Sequence, residues 1–298
     1  MATSKKLNLV FTADLHWGVP RGMSANLGLS QSLRENPPDV LVLAGDIGHA
    51  EYFEECLENF SHINCIKALV PGNHDIWVSD TPEKGDSYQL YTEILPKLAA
   101  KYKFHYLDQA PLHLPDWKLS LVGTINWYDY SWSEASLKKL FPDELHRLSS
   151  KRFTRGQHND FNFVRWQYDD KSFTQKVVAK LALHMQEVVD LQHQMIVVTH
   201  HPACKAISFP SQGMAPTLDS LLWEALGGND LLEQELIKFK ESIAYLFSGH
   251  THRERIEDWN GMRGYNIGGD YHYKRVLELS WPDREVSSQE FYSSPDPA

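Results

Sequence analysis

Five short apolar runs in this chain each stop at residues able to ligate a metal ion, and that repeated ending limits the fold more than any other feature. LNLVFTA at 7–13 is followed by Asp14 and His16, and DVLVLAG at 39–45 by Asp46. IKALVP at 66–71 leads to Asn73, His74 and Asp75, MIVVT at 195–199 to His200 and His201, and AYLFSG at 244–249 to His250 and His252. Runs this short and this apolar fit strands covered on both faces. Side chains two apart on an extended segment share a face, so Asp14 and His16 are expected to converge on one object, for which a metal ion is the natural candidate. In α/β sheets ligands collect at the C-terminal ends of strands. The common ending therefore predicts one polar centre at one end of a sheet.

Between the runs lie stretches with helical spacing: 51–61, with Tyr52, Phe53, Cys56, Leu57 and Phe60 on roughly one face, then 88–102 and 172–192. A further strand is expected at 119–124. Strands alternating with helices indicate an α/β layer architecture. The rhythm changes at the C-terminus, where 261–269 and 275–281 read as strands with no helix between them, closing the chain in a meander. Residues 125–172 are aromatic and mixed in charge and read as an insertion or cap. The whole chain, 1–298, is expected to be one domain ending in a flexible tail over 288–298.

Composition removes several function classes. The 298 residues are 42% hydrophobic, enough for a large core, and the formal net charge is −10. That charge argues against broad nucleic-acid or anionic-membrane contact, while bound divalent cations still permit an anionic substrate. No transmembrane run is present, and the N-terminus reads as a first strand rather than a signal peptide. Cys56, Cys65 and Cys204 are too few for a disulfide framework and read as small buried apolar residues. A cytoplasmic location is the expectation, and the oligomeric state is left open.

The blocks DLH, GD, GNHD, THH and GHTH occur in order between residues 14 and 252. This series resembles the calcineurin-like metallophosphoesterase superfamily, whose pattern is D-x-H, G-D, G-N-H-[DE], H and G-H-x-H. The resemblance implies a four-layer α/β/β/α sandwich and two divalent transition-metal ions, Mn foremost, with Fe, Zn or Ni as alternatives. It assigns Asp14, His16 and His252 to one metal, Asn73, His200 and His250 to the other, and Asp46 to a bridging place. Imidazole, carboxylate and amide oxygen suit such metals, and one carboxylate can span cations ~3.5–4 Å apart. The glycines before Asp46, Asn73 and His250 allow the backbone to approach closely. The implied activity is hydrolysis of a small-molecule phosphate ester, diester or monoester, by a hydroxide bridging the metals.

His74 is expected to act on the leaving oxygen or on the transition-state charge, with Asp75 orienting it. His201 is expected to face substrate, and His49 either to approach the site or to start a helix. Trp17, Trp77, Trp127, Tyr128, Tyr130 and Trp132 read first as packing and second as a slot for a base or aryl ester. Arg155 and Arg165 read as surface residues, with a phosphate contact as the alternative. Rival functions are a cyclic-nucleotide phosphodiesterase, a DNA-repair nuclease, against which the charge speaks, and a non-catalytic binding module, which would have lost ligands. A protein Ser/Thr phosphatase ranks low because GDIGHAE replaces the longer G-D-x-x-D-R-G block.

Overall fold

The computed structural model describes residues 6–78, 86–208 and 215–293. Two six-stranded sheets form its centre. The first runs β12-β11-β1-β2-β3-β4 and the second β5-β6-β7-β8-β10-β9. In the first, β1 (Leu7–Thr12), β2 (Val40–Ala44), β3 (Ile66–Val70) and β4 (Phe104–Tyr106) are mutually parallel, while β11 (Tyr273–Trp281) lies antiparallel to β1 and β12 (Glu285–Tyr292) antiparallel to β11. In the second, β6 (Leu119–Thr124), β7 (Gln194–Thr199), β8 (Ile243–Ser248) and β10 (Met262–Asn266) are parallel, edged by β5 (Leu112–Leu114) and β9 (Arg255–Trp259).

Period-two alternation explains the layering. Leu9, Phe11, Val40, Val42, Ala44, Ala68 and Val70 point from the first sheet into the space between sheets. There they meet Leu119, Leu121, Ile196, Val198 and Phe247 of the second. Phe11 stacks on Phe247 with ring centroids 4.0 Å apart. The alternate residues Val10, Leu41, Leu43 and Leu69 face outward against α1 (Pro20–Glu35), α2 (Glu51–Ser61) and α4 (Leu95–Lys101). Val122, Val197 and Leu246 face α8 (Asp170–Asp190) and α10 (Asp230–Phe239) on the far side. The result is the expected four-layer α/β/β/α sandwich, with strands apolar on both faces because both faces are covered.

Several elements depart from the sequence reading. The C-terminal strands do not form one meander: β9–β10 is a hairpin in the second sheet and β11–β12 a hairpin in the first. Residues 288–292, expected to belong to a flexible tail, complete β12, an edge strand so polar that no apolar alternation marks it; residues 294–298 lie outside the described residues. Helix α1 escaped the sequence reading because its buried face is made of Gly22, Ala25, Asn26, Leu29, Ser30 and Leu33. The expected helix at 88–102 is present in three pieces, α3 (Ser87–Gln89), a π turn at Leu90–Ile94, and α4. All three cysteines are free thiols, Cys56 and Cys204 buried and Cys65 half-buried. No helix among the described residues is long and apolar enough to cross a membrane.

Candidate metal centre

β1, β2, β3, β6, β7 and β8 run in the same sense within their sheets, and the loops after β1, β2, β3, β7 and β8 meet at one end of the sandwich. The β1 and β2 loops continue their ladder past the strands, with the Asp14 amide donating to Gly45 O at 3.0 Å and the His16 amide to Asp46 O at 2.8 Å. Across the sheets, the Gly249 amide donates to His200 O at 3.1 Å.

The local backbone is unusual. Asp14, His16, Asp46, His250 and His252 all have positive φ, between 43° and 72°. Each such L-residue costs roughly 1–2 kcal/mol, and clusters of them mark functional sites. Asp14 and His16 thus converge through two left-handed turns rather than through the extended alternation that the sequence reading invoked. Gly45, with φ +87°, could not be replaced: a Cβ there would lie 2.4 Å from the His200 ring. A Cβ on Gly72 would lie 2.1 Å from Asp46 Oδ1.

Asp14, His16, Asp46 and His252 each offer a ligand atom within 4.8 Å of all the others. His16 Nε2 lies 3.1 Å from His252 Nε2 and 3.6 Å from Asp46 Oδ2, and His252 Nε2 lies 3.5 Å from Asp14 Oδ1. On the other side of Asp46, His200 Nε2 lies 3.2 Å from Asp46 Oδ1 and 3.0 Å from Asn73 Oδ1. The His250 ring is 5.2 Å from that of His200, and its amide donates to both Asp14 carboxylate oxygens. His200 Nδ1 is taken by Ala44 O at 3.1 Å, which leaves Nε2 for a ligand. The other six sequence-predicted metal residues therefore meet around Asp46, three on each side.

The charges suit a bound cation. Burial pushes the Asp14 carboxyl up to about 8 and raises Asp46, helped by the neighbouring carboxylates. Burial also lowers every imidazole here: His252 to about 4, and His16, His200 and His250 well below the usual histidine range. Neutral imidazoles and crowded carboxylates present lone pair to lone pair, an arrangement that a cation between them would satisfy.

His74 and Asp75 part company. The His74 ring stacks on Trp77 at 3.6 Å, with Nε2 3.8 Å from Asp46 Oδ2, and burial holds it down to about 3. Asp75 does not orient it. Its carboxylate accepts from the Gly48 amide at 2.9 Å and the Gly72 amide at 2.7 Å, pinning the β2 and β3 loops together. Asp75 is a positioning residue for the backbone that carries Asp46 and Asn73.

Two residues that the sequence reading passed over complete the surroundings. Asp160, from α7 (Asn159–Phe163), is buried and accepts from Asn73 Nδ2 at 2.9 Å, Trp77 Nε1 at 2.8 Å and Tyr128 Oη at 2.9 Å. Burial works to raise its carboxyl, but His158 and these donors outweigh it and hold it at about 2. It turns the Asn73 amide so that Oδ1 faces His200. Lys274, buried at the start of β11, donates to Asp14 O at 2.8 Å and Asp270 O at 2.7 Å, fixing the left-handed turn at Asp14. Neither belongs to a motif, and no local signal marks them.

The remaining aromatic and basic residues follow the packing reading. Trp17, Trp127, Tyr128, Tyr130 and Trp132 are buried, so they line no open slot. Trp127 Nε1 donates to Asp170 at 2.8 Å. Trp77 alone of the group is half-buried beside the centre. His201 is buried beside His250 with Nε2 unpartnered, and His49 approaches Trp77 from the loop before α2. Arg155 and Arg165 are exposed.

Comparison with known proteins agrees with this geometry. The family model for calcineurin-like phosphoesterases matches residues 7–254. Among solved structures, a phosphopantetheinyl hydrolase from Mycobacterium tuberculosis superposes with a TM-score of 0.67 at 17% identity, covering 90% of this chain and 91% of that one. A dimetal phosphatase from Danio rerio gives 0.56 at 13% identity, covering 97% and 99%. No curated protein sequence matches. The identities are low and show a shared fold, while the family match spans all five ligand-bearing loops: the chain belongs to the calcineurin-like phosphoesterase family and is a metal-dependent phosphoesterase.

Proposed function

We propose that this protein hydrolyses small soluble phosphate esters at a two-metal centre, with Asp14, His16 and His252 holding one ion, Asn73, His200 and His250 the other, and Asp46 shared. The supporting observation is the position of Asp46, whose two carboxylate oxygens face opposite ligand groups: Oδ2 toward His16 and Oδ1 toward His200. Mn²⁺ is the favoured ion for a set of imidazole, carboxylate and amide oxygen without thiolate. Two bound ions would supply an acidified water and neutralise charge on the phosphoryl oxygens.

The chain's own side chains do the rest. His74, held neutral by burial, suits a hydrogen-bond donor to a phosphoryl or leaving oxygen better than a proton source, and Trp77 fixes its plane by stacking. The 125–172 segment acts as a cap whose Asp160 carboxylate orients Asn73. Among the described residues no dedicated clamp for a monoester dianion borders the centre, and both diesters and monoesters fit this reading. A cyclic-nucleotide preference loses support, because all the rings offered for a base slot except Trp77 are buried. Chelation should abolish hydrolysis of an aryl phosphodiester and Mn²⁺ restore it, while Asp46→Ala should bind neither ion and remain at background. Activity retained by Asp46→Ala would overturn the assignment.

A further inference from the structure

A continuous row of rings borders the centre on the side of His16. Phe163 lies 5.1 Å from Trp77, Trp77 stacks on His74 at 3.6 Å, and His74 meets His16 edge-on at 4.7 Å. His16 stacks on Tyr271 at 4.6 Å, and the Arg21 guanidinium sits over the Tyr271 ring at 4.2 Å. Tyr271 also meets His252 edge-on at 5.2 Å. One cation therefore closes a row that includes two metal-site imidazoles.

Arg21 is exposed in the first turn of α1, and among the described residues no carboxylate lies within ion-pair distance of it. The acids nearest the row are committed elsewhere. Asp14 faces His250 and His252, Asp46 faces the other ligands, and Asp270 Oδ1 accepts from the His272 and Tyr273 amides at 2.6 and 3.2 Å. In a chain with a net charge of −10, a guanidinium with no acidic partner among the described residues, held on a ring that stacks on His16, is conspicuous. Its planar fork matches phosphate oxygens in pairs. The ring restricts the side chain before any ligand arrives, which lowers the ordering cost on binding.

We propose that Arg21, held on Tyr271, forms a second phosphate subsite, so that the preferred substrates carry another phosphoryl group next to the one hydrolysed, as in a diphosphate ester. This rests on the phosphoesterase reading above, since the first phosphoryl group is placed by the metals. From sequence, Arg155 and Arg165 read as surface residues with a phosphate contact only as the alternative. The first sits at an exposed turn and the second in the strap whose backbone pairs with Ser87.

Calorimetric binding of two probes tests the subsite: inorganic phosphate and imidodiphosphate, titrated into Mn²⁺-loaded protein with Mn²⁺ in excess. Arg21→Ala should weaken imidodiphosphate about 10–100-fold, the range of a charge-assisted contact, and the loss for phosphate should be at least tenfold smaller. Arg21→Lys should recover part of the loss, and high salt should shrink the difference. Tyr271→Leu, which keeps the charge and removes its platform, should give an intermediate loss. Equal losses on both probes, or none on imidodiphosphate, would overturn the subsite. If the phosphoesterase reading alone is wrong, no ester is hydrolysed while the probes still separate; if the subsite alone is wrong, hydrolysis survives and the separation vanishes.

Discussion

The two sides of Asp46 are built from different parts of the chain. On one side, Asp14, His16 and His252 are steadied by the C-terminal sheet edge: Lys274 holds the Asp14 carbonyl and Tyr271 lies against His16. On the other, Asn73 leans on the 125–172 segment, because Asp160 sets the direction of its amide, while His200 Nδ1 is held by Ala44 O. The ligands are alike in kind, but their supports are not. Outer partners of this sort tune affinity nearly as strongly as the ligands themselves. The two proposed metal places should therefore be separable, and changes at Asp160 should reach one before the other.

The largest test of this asymmetry is His74→Ala. His74 lies beside Asp46 Oδ2 and His16 but is not in the proposed ligand set, so its removal should leave both metals bound, as metal analysis would show. The rate constant kcat should fall by ~10²–10⁴, equivalent to roughly 3–5 kcal/mol of barrier. Because burial holds the ring neutral, the fall should be similar for nitrophenyl and alkyl leaving groups. A much larger fall for poor leaving groups would instead make His74 the proton donor. Loss of a metal would return it to the ligand set.

A smaller and more selective effect is expected from Asp160→Ala. Freed from its acceptor, the Asn73 amide can rotate, and affinity for the second metal should drop ~10–100-fold while the first stays unchanged. Asp160→Asn preserves an acceptor oxygen and should recover much of the loss. Sequential metal titration followed by calorimetry separates the two sites. Equal weakening of both would erase the distinction between the sides.

The same contrast separates what could be read from the sequence from what could not. Strand-end ligands are legible because they sit at short, fixed spacings after apolar runs, and all seven reach the centre. Even there the extended geometry inferred for Asp14 and His16 was replaced by left-handed turns, whose cost is met by hydrogen bonds from the neighbouring loop. Asp160 is 87 residues from Asn73 in sequence, and Lys274 is 260 from Asp14. Neither separation leaves a local pattern. Asp75 misled because adjacency to His74 resembled a pairing, whereas a 3₁₀ turn over His74–Ile76 leaves its carboxylate beneath the loop amides. α1 and β12 were missed for a related reason: one buries small polar residues and the other buries almost nothing.

The smallest effect concerns pH. In metal-free protein, His252 and His201 are both lowered to about 4, so the unfolded chain binds more protons than the folded one between about pH 4 and 6.5. Stability should rise with pH across that window. Asp14 is raised to about 8 and Asp75 to about 7, each by burial first. For these the folded state holds the extra proton, so stability falls as pH climbs from the ordinary carboxylate range toward 8. Below pH 6.5 the six lowered histidines, His16, His74, His200, His201, His250 and His252, outnumber the three raised acids, Asp14, Asp46 and Asp75; above it only the acids remain. Metal-free protein should therefore be most stable near pH 6–7 and lose on the order of 1–3 kcal/mol by pH 8. Bound Mn²⁺ neutralises the carboxylates and should flatten the alkaline limb, so the melting-temperature gain on adding metal should grow from pH 6.5 to 8. Asp14→Asn, which removes one of the three raised carboxyls, should weaken that limb without metal. Thermal melts of both proteins across this range decide the matter: a metal-free wild type that keeps gaining stability up to pH 8 would show that Asp14 is already ionised, and the two sides of Asp46 would then differ in structure but not in charge.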